Sequence, residues 1–246
     1  MQILCLRTGV VRERVGTRGI RRYIDRSWRE ESLPVNAFLV EHPAGPCLFD
    51  TGQTARAAAP GYFPSWQPFF RLSRFELRPD DEIARQLRRL GMDPGDVRWV
   101  VLSHLHTDHV GGLDSFRESE VLVTRSEWRR AGGLAGRIRG YLPQYWPAGL
   151  EPRLLDLDRD DFGPFPGSHD IAGDGTLLVV STPGHTPGHA SLLVRRPGGG
   201  VLLGGDLAHA AADLERVAPS IARYCEEHGV AYAGTHDPLA AVTVAA

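Results

Sequence analysis

The chain has 246 residues and a formal net charge of −2, and 42% of its residues are hydrophobic. This length and composition predict a packed α/β domain, and we expect one domain over residues 1–246. The near-neutral charge argues against a nucleic-acid or anionic-membrane partner. All 28 basic residues are arginine, which excludes lysine nucleophiles, Schiff bases and phosphate-loop lysines.

The start of the chain and the cysteines indicate a cytoplasmic protein. The N-terminal stretch MQILCLRTGVV lacks the basic segment and long apolar core of a signal peptide. No apolar run approaches the roughly 20 residues of a membrane span. Cys5, Cys47 and Cys225 are odd in number and far apart, so a disulfide framework is not expected.

The first part of the chain predicts strands, an aromatic segment and a helix. Residues 34–52 indicate two strands around a Pro-Ala-Gly turn. Residues 53–79 are aromatic and proline-broken, which fits either a pocket wall or a core plug beneath a loop. A helix follows, with Asp80 as its N-cap, an apolar stripe of Ile83, Leu87 and Leu90, and Gly91 just after its end.

The rest of the chain predicts further strands and helices. Residues 97–103 and 120–124 are short strands, and SEWRRA is a short helix. From Gly175 three apolar runs are separated by Gly/Pro turns, followed by a helix from about Asp213 to Glu227 and the strand VAYAG. These segments indicate two sheets stacked in a sandwich with helices outside.

The stretch SHLHTDHVGGL, directly after the strand at 97–103, places His104, His106, Asp108 and His109 within six residues. Packing gives no reason for such a cluster at a strand end. Imidazole and carboxylate groups are ligands of a catalytic zinc ion, which also keeps one position open for water. The cluster therefore predicts a metal site.

Three later apolar runs also end in residues that bind metals. His185 follows one run, Asp206 and His209 follow the next, and His236 follows the last. We expect these ends to gather at one edge of the sheets.

The motifs SHLHTDHVGG, TPGHTPGH, GGDLAH and GTHD resemble, in this order, the metal motifs of the metallo-β-lactamase superfamily. The resemblance covers nearly the whole chain and implies an αβ/βα sandwich, with two mixed β-sheets flanked by helices. It further implies two zinc ions, with iron, manganese or cobalt as alternatives. The implied ligands are His104, His106 and His185 for one ion, Asp108, His109 and His236 for the other, and Asp206 between them.

Within that superfamily the sequence is most similar to the N-acyl homoserine lactonase branch. This likeness implies that a hydroxide held by two metal ions opens a lactone or cleaves a related carboxylic ester. Such lactonases usually carry a tyrosine three residues after the bridging aspartate, where this chain has His209. Asp108 and His209 are the candidate proton donors to the leaving group.

The expected partner is a small-molecule substrate with an apolar acyl or aryl group, with no nucleic acid or membrane, and a homodimer is a candidate assembly. Aromatic residues could supply the groove for the apolar group: Phe63, Trp66, Phe69, Phe70, Tyr141, Tyr145 and Trp146.

The sequence also allows three other functions. The same metal pair could attack phosphorus in a phosphotriester or phosphodiester. A mononuclear iron dioxygenase acting on persulfides uses this fold with the second metal position empty. A protein that binds metal without catalysis is the third alternative.

The remaining histidines and Asp50 have smaller expected roles. We expect His189 to be structural or to lie behind the metal ligands, His42 and His228 to be solvated, and His169 to lie in a loop. Asp50, which ends the run LFD, resembles a motif that braces the metal loops.

Overall fold

The strands of the first sheet come from the first two thirds of the chain. The computed structural model describes residues 1–14, 27–157, 161–238 and 240. The strands are β1 (Ile3–Glu13), β2 (Leu33–Val40), β3 (Cys47–Phe49), β4 (Ser73–Glu76), β5 (Trp99–Val101), β6 (Glu120–Thr124) and β7 (Arg153–Leu155). Their order is β4-β1-β2-β3-β5-β6-β7. Strands β3, β5, β6 and β7 are parallel to one another, and the other pairings are antiparallel.

The second sheet is built from the last third. Its strands are β8 (Ser168–Asp170), β9 (Leu177–Ser181), β10 (Ala190–Arg196), β11 (Gly199–Gly205) and β12 (Val230–Gly234). The order is β12-β11-β10-β9-β8, in which only β11 and β12 are a parallel pair. Both sheets are therefore mixed.

The helices of the described residues are short. They are α1 (Ile83–Arg89), α2 (Thr107–Val110), α3 (Arg125–Ala131), α4 (Gly133–Ile138), α5 (Leu214–Val217) and α6 (Pro219–Glu227). In the ranges that the structure covers, no helix has the length and apolar character needed to cross a bilayer.

Three apolar layers hold the sheets and helices together. Between the sheets, Phe38 and Phe49 pack with Leu192 and Leu203 of the opposite sheet. Ile83 and Leu87 of α1 pack on the outer face of the first sheet, and Ile221 and Cys225 of α6 pack on the outer face of the second. Each fully buried Leu, Ile or Phe contributes about 1.5–3 kcal/mol to folding. The helix–sheet–sheet–helix order confirms the predicted αβ/βα sandwich.

Two helix boundaries differ from the prediction. Asp80 lies in a 3-10 turn, Pro79–Asp81, and α1 begins after Glu82. The Glu82 carboxylate accepts hydrogen bonds from Thr54 and Ala55 instead of capping the helix. The helix predicted from about Asp213 to Glu227 is split into α5 and α6, with Ala218 between them at φ −142°. Pro219 causes the split, since proline disfavours helical backbone at the preceding residue.

Two histidines also differ from their predicted surroundings. His42 is buried rather than solvated. Its Nε2 finds polar partners inside the protein, at 3.1 Å from Asp174 Oδ2 and 3.0 Å from Thr176 Oγ1. His169 belongs to strand β8 and not to a loop. His228, after α6, is exposed as predicted.

Candidate metal centre

The ends of five strands bring the predicted site residues together. Asp50 follows β3 and the segment from Ser103 to His109 follows β5, both in the first sheet. In the second sheet His185 follows β9, Asp206 follows β11 and His236 follows β12. Parallel strands end at the same edge of a sheet, so this topology collects the polar loops on one side of the sandwich.

The first donor group consists of His104, His106 and His185. The His106 Nδ1 atom lies 3.0 Å from His104 Nε2 and 3.1 Å from His185 Nε2. His104 and His106 are buried, whereas His185 is exposed. The group is therefore reached from solvent on the His185 side.

The second donor group consists of Asp108, His109 and His236. The two carboxylate oxygens of Asp108 lie 3.9 Å from His109 Nε2 and 3.8 Å from His236 Nε2. Both imidazoles are buried.

Asp206 lies between the two groups. Its Oδ1 is 3.4 Å from both His109 Nε2 and His236 Nε2. Its Oδ2 is 3.5 Å from His185 Nε2 and 3.9 Å from His104 Nε2. One carboxylate thus presents one oxygen to each group.

Hydrogen bonds to the outer ring nitrogens aim the inner nitrogens at the centre. His236 Nδ1 donates to the Pro34 carbonyl at 2.8 Å, and His106 Nε2 donates to the Arg139 carbonyl at 3.2 Å. A carbonyl can only accept, so it fixes the proton on the outer nitrogen. Such outer partners are typical of histidines that bind metals.

The charges differ between the groups. Burial, and then the neighbouring imidazoles, hold the pKa of His104 well below its ordinary value. Burial and His185 lower the pKa of His106 to about 4. In the second group burial acts to lower the pKa of His236, but Asp206 and then Asp108 outweigh it and raise that pKa to about 9. His104 and His106 therefore favour their neutral forms at pH 7, whereas His236 favours its protonated form.

This donor set fits a pair of divalent metal ions. Two ligands at about 2.1 Å from one ion in tetrahedral geometry lie roughly 3.4 Å apart, close to the separations in both groups. Within each group the donor atoms lie within 4.8 Å of one another. Among the described residues, His109 Nε2 and Asp206 Oδ1 are buried and have no hydrogen-bond partner, and a cation between them would satisfy both.

Asp50 braces the loop of the second group, as the sequence predicted. Its carboxylate accepts from the Ser103 amide and hydroxyl and from His109 Nδ1, each at 2.8 Å. Asp50 itself has φ +59°, the one positive value of a non-glycine residue in the described chain. Such backbone strain persists only where the surroundings enforce it.

Glu127 is a residue of this site that the sequence reasoning missed. It is fully buried, and its carboxylate accepts from the Leu105 amide, the Tyr141 hydroxyl and the Thr186 hydroxyl. The pattern T-x-x-E from Thr124 to Glu127 matches a helix capping box, which accounts for the residue without any site. The contacts of the Glu127 carboxylate with Leu105, Tyr141 and Thr186 are visible only in the tertiary structure.

His189 and His209 lie beside the donor groups. His189 is buried, and its Nε2 accepts from the Asp206 amide at 3.1 Å, so it holds the backbone at Asp206. His209 is exposed, and its ring centroid lies 5.4 Å from that of His236. His209, His185 and Asp206 line one cavity of about 670 Å³.

The predicted aromatic groove is only partly formed. Phe63 stacks on the buried Phe70, and Tyr141 is fully buried beside His106 with its hydroxyl on Glu127. Tyr141 therefore packs the interior, whereas Phe63 and Phe70 line a separate cavity of about 780 Å³ that contains none of the donor residues. Trp66 is 53% exposed. The others are Tyr145, stacked on Tyr62; Trp146, stacked on Trp128; and Phe69, whose side chain lies outside the described part of the structure.

Comparison with curated proteins finds related sequences. The chain is 33% identical to N-acyl homoserine lactonase AttM of Rhizobium radiobacter, over 84% of this chain and 82% of that protein. It is 38% identical to the AttM lactonase of Azorhizobium caulinodans, over 70% of this chain but 63% of that protein. An N-acyl homoserine lactonase of a Bacillus species is 31% identical over 76% of this chain and 69% of that protein.

Solved structures share the fold. One is an N-acyl homoserine lactone hydrolase with N-hexanoyl-L-homoserine at its catalytic metal center, with a TM-score of 0.72 and 22% identity over 96% of this chain and 93% of that one. Another is AidC, a dizinc quorum-quenching lactonase, with a TM-score of 0.61 and 14% identity over 97% and 88% of the two chains. At these identities the likeness concerns the fold.

A family profile matches most of the chain. Residues 32–240 match the profile described as the Metallo-beta-lactamase superfamily, and this range contains every residue of the two donor groups and Asp206. The chain belongs to the metallo-beta-lactamase superfamily.

Proposed function

We propose that this protein is a dinuclear metal-dependent hydrolase that opens N-acyl homoserine lactones or cleaves related carboxylic esters. The observation that carries the proposal is the Asp206 carboxylate, which presents one oxygen to each donor group. The lactonases to which the chain is 31–38% identical support the choice of substrate.

We further propose that His104, His106 and His185 hold one ion, that Asp108, His109 and His236 hold the other, and that Asp206 bridges them. Zinc suits the imidazole and carboxylate ligands, with iron, manganese or cobalt as alternatives. When bound, the metal pair would supply Lewis acidity toward the substrate carbonyl and lower the pKa of a water molecule.

Two residues of the chain are proposed to handle the proton for the leaving alkoxide. Asp108 belongs to the second donor group, and its side chain is 13% exposed. His209 lies on the cavity side of His236, where an imidazole could hydrogen-bond the substrate carbonyl or protonate the leaving oxygen. An imidazole suits proton transfer near neutral pH.

A substrate panel with zinc-, iron-, manganese- and cobalt-reconstituted protein tests the proposal. It comprises N-acyl homoserine lactones of several chain lengths, aryl esters, phosphotriesters, phosphodiesters and a persulfide. We expect lactones to give the highest kcat/KM, with two metal ions per active chain. If a phosphotriester or phosphodiester gives the highest kcat/KM, the proposed substrate class is a phosphorus ester and not a lactone. If the protein consumes oxygen with one iron per chain, the proposed hydrolase function is wrong and the protein is an oxygenase.

The organisation of the protein is proposed on separate grounds. Both sheets contribute to one core between them, which supports a single domain over residues 1–246. A cytoplasmic location and a homodimer are predictions that cell fractionation and size-exclusion chromatography with light scattering would test.

A further inference from the structure

Glu127 connects the two loops that carry the first donor group. Its Oε1 accepts from the Leu105 amide at 3.1 Å, and Leu105 lies between His104 and His106. Its Oε2 accepts from the Thr186 hydroxyl at 2.7 Å, and Thr186 follows His185. One carboxylate thus spans loops that are about 80 residues apart in the chain.

A third contact reaches the ring of His106. The Tyr141 hydroxyl donates to Glu127 Oε1 at 2.8 Å, and the Tyr141 ring lies 5.0 Å from that of His106 between centroids. Every member of the first donor group therefore has Glu127, or a residue held by Glu127, beside it. In the described chain Glu127 does not contact the loop of His236.

The charge of Glu127 is the second observation. Its side chain is fully buried, and its hydrogen-bond donors are one amide and two hydroxyls, all neutral. Burying a carboxylate is costly unless an opposite charge compensates it. No salt bridge joins Glu127 to an arginine or histidine in the ranges that the structure covers. A cation held by His104, His106 and His185 would supply that opposite charge.

We propose that Glu127 is a positioning residue that sets the metal affinity of the first donor group and leaves that of the second nearly unaffected. The inference rests on the proposed pair of metal positions. Asp50 has the corresponding place in the second group through His109. Asp50 also reaches the first group, though only indirectly, because the Ser103 hydroxyl that donates to it lies 3.0 Å from His104 Nδ1.

Glu127→Gln tests the charge with little change of shape. The glutamine oxygen can still accept from Leu105 and Tyr141, and its amide can donate to a reoriented Thr186 hydroxyl. The apoprotein is titrated with zinc against a competing chelator to obtain both binding constants. His185→Ala and His236→Ala show which constant belongs to which position, and the exposed Glu118→Gln is the matched control.

We expect Glu127→Gln to weaken the first position by about 10–100-fold, the usual effect of changing an outer partner of a metal ligand. Asp50→Asn should instead weaken the second position more than the first, because Asp50 bonds His109 directly and reaches His104 only through Ser103. Rescue of the first position in Glu127→Asp, which keeps the charge, would further support the proposal. Because the measurement is metal affinity, it holds whether or not a lactone is the substrate.

A folded Glu127→Gln variant with both constants unchanged, or with both lowered equally, would overturn the proposal. If that variant does not fold, Thr186→Val removes one hydrogen bond and keeps the carboxylate. We then expect a smaller loss at the first position, and unchanged constants in a folded Thr186→Val variant would likewise overturn the proposal.

Discussion

Asp206 is the residue on which both donor groups depend, since its two oxygens face different groups. Asp206→Asn removes the charge and leaves one oxygen to accept a metal. We expect loss of at least one metal ion and a fall in kcat of more than about 100-fold, beyond the effect of changing an outer partner. Elemental analysis and lactone kinetics measure both, with Asp213→Asn on the same cavity as control. Two retained metals with near-normal turnover would show that Asp206 is not the bridge.

His209 is exposed beside His236 and belongs to neither donor group. Its removal should therefore leave the metal pair in place. We expect His209→Ala to lower kcat by about 10²–10⁴-fold, the usual contribution of acid–base catalysis. Metal content should not change, and His209→Tyr should preserve lactone hydrolysis. His228→Ala is the control with an exposed histidine far from the site. An alanine variant within about twofold of the unmodified protein would rule out the catalytic role.

The donor groups should respond differently to pH. Asp206 and its neighbours, against the effect of burial, raise the pKa of His236 to about 9, so a metal ion entering the second group displaces a proton at neutral pH. The pKa of His109 is also raised, because burial, which lowers it, is outweighed by Asp206, Asp50 and Asp108. The apparent affinity of the second group should therefore rise by at least about tenfold per pH unit near neutral pH. Burial lowers the pKa of His106 to about 4, so the first group loses no proton from this residue near pH 7. Zinc titrations at about pH 6, 7 and 8 test this, and parallel changes in both constants would contradict it.

At the scale of elements, periodic and strongly apolar segments were predictable from the sequence. Strand β6 has the predicted bounds Glu120–Thr124, and β12 matches VAYAG. The N-terminal strand β1 was not predicted, because Gly9 has φ +115° and the pairing with β2 shifts between Arg7 and Val10. This irregularity interrupts the alternation of buried and exposed residues on which such a prediction depends.

The donor residues were predictable for a different reason. His104, His106, Asp108 and His109 are close in sequence, so their loop alone indicates a site. Glu127 could not be found this way, since its contacts reach across the fold to Leu105, Tyr141 and Thr186. Residues that hold ligands in place need the tertiary structure to be recognised.

The loop that carries His185 packs directly on the start of α3. A Cβ atom at Gly188 would lie 2.2 Å from the Glu127 backbone nitrogen, which cannot move aside easily. We expect Gly188→Ala to destabilise the protein by about 1–3 kcal/mol, as overpacking does, and to weaken zinc binding at the first position. Gly184→Ala in the same loop is the control, because its Cβ would meet no atom within 4 Å. Equal melting temperatures for the two variants would contradict this packing argument.

At the scale of the whole molecule, contacts between the sheets hold the two halves of the site in register. The backbone amide of Asn36 in β2 donates to the Thr235 carbonyl, and the backbone amide of Thr235 donates to the Gly205 carbonyl. His236 is next to Thr235 and Asp206 is next to Gly205, so these bonds fix both residues relative to the first sheet. The site depends on the stacking of the two sheets.

The surface around the site also carries charge. The cavity beside the donor groups is lined by two exposed arginines, Arg29 and Arg216. Arg216 is paired with Asp213 at 2.6 Å. No salt bridge joins Arg29 to another residue in the described part of the chain. A homoserine lactone is neutral, whereas its ring-opened product carries a carboxylate, so Arg29 should favour the product over the substrate.

Arg29→Gln should therefore relieve product inhibition. We expect the inhibition constant of the ring-opened N-acyl homoserine to rise by about 1.4- to 5-fold, the range of an exposed ion pair, while KM for the neutral lactone stays the same. The difference should shrink at high salt, which screens exposed charges. Arg223→Gln, exposed on α6 and outside the cavity lining, is the matched control. Equal product inhibition in the two variants, or an equal rise of KM for the neutral lactone, would show that Arg29 does not bind the product carboxylate.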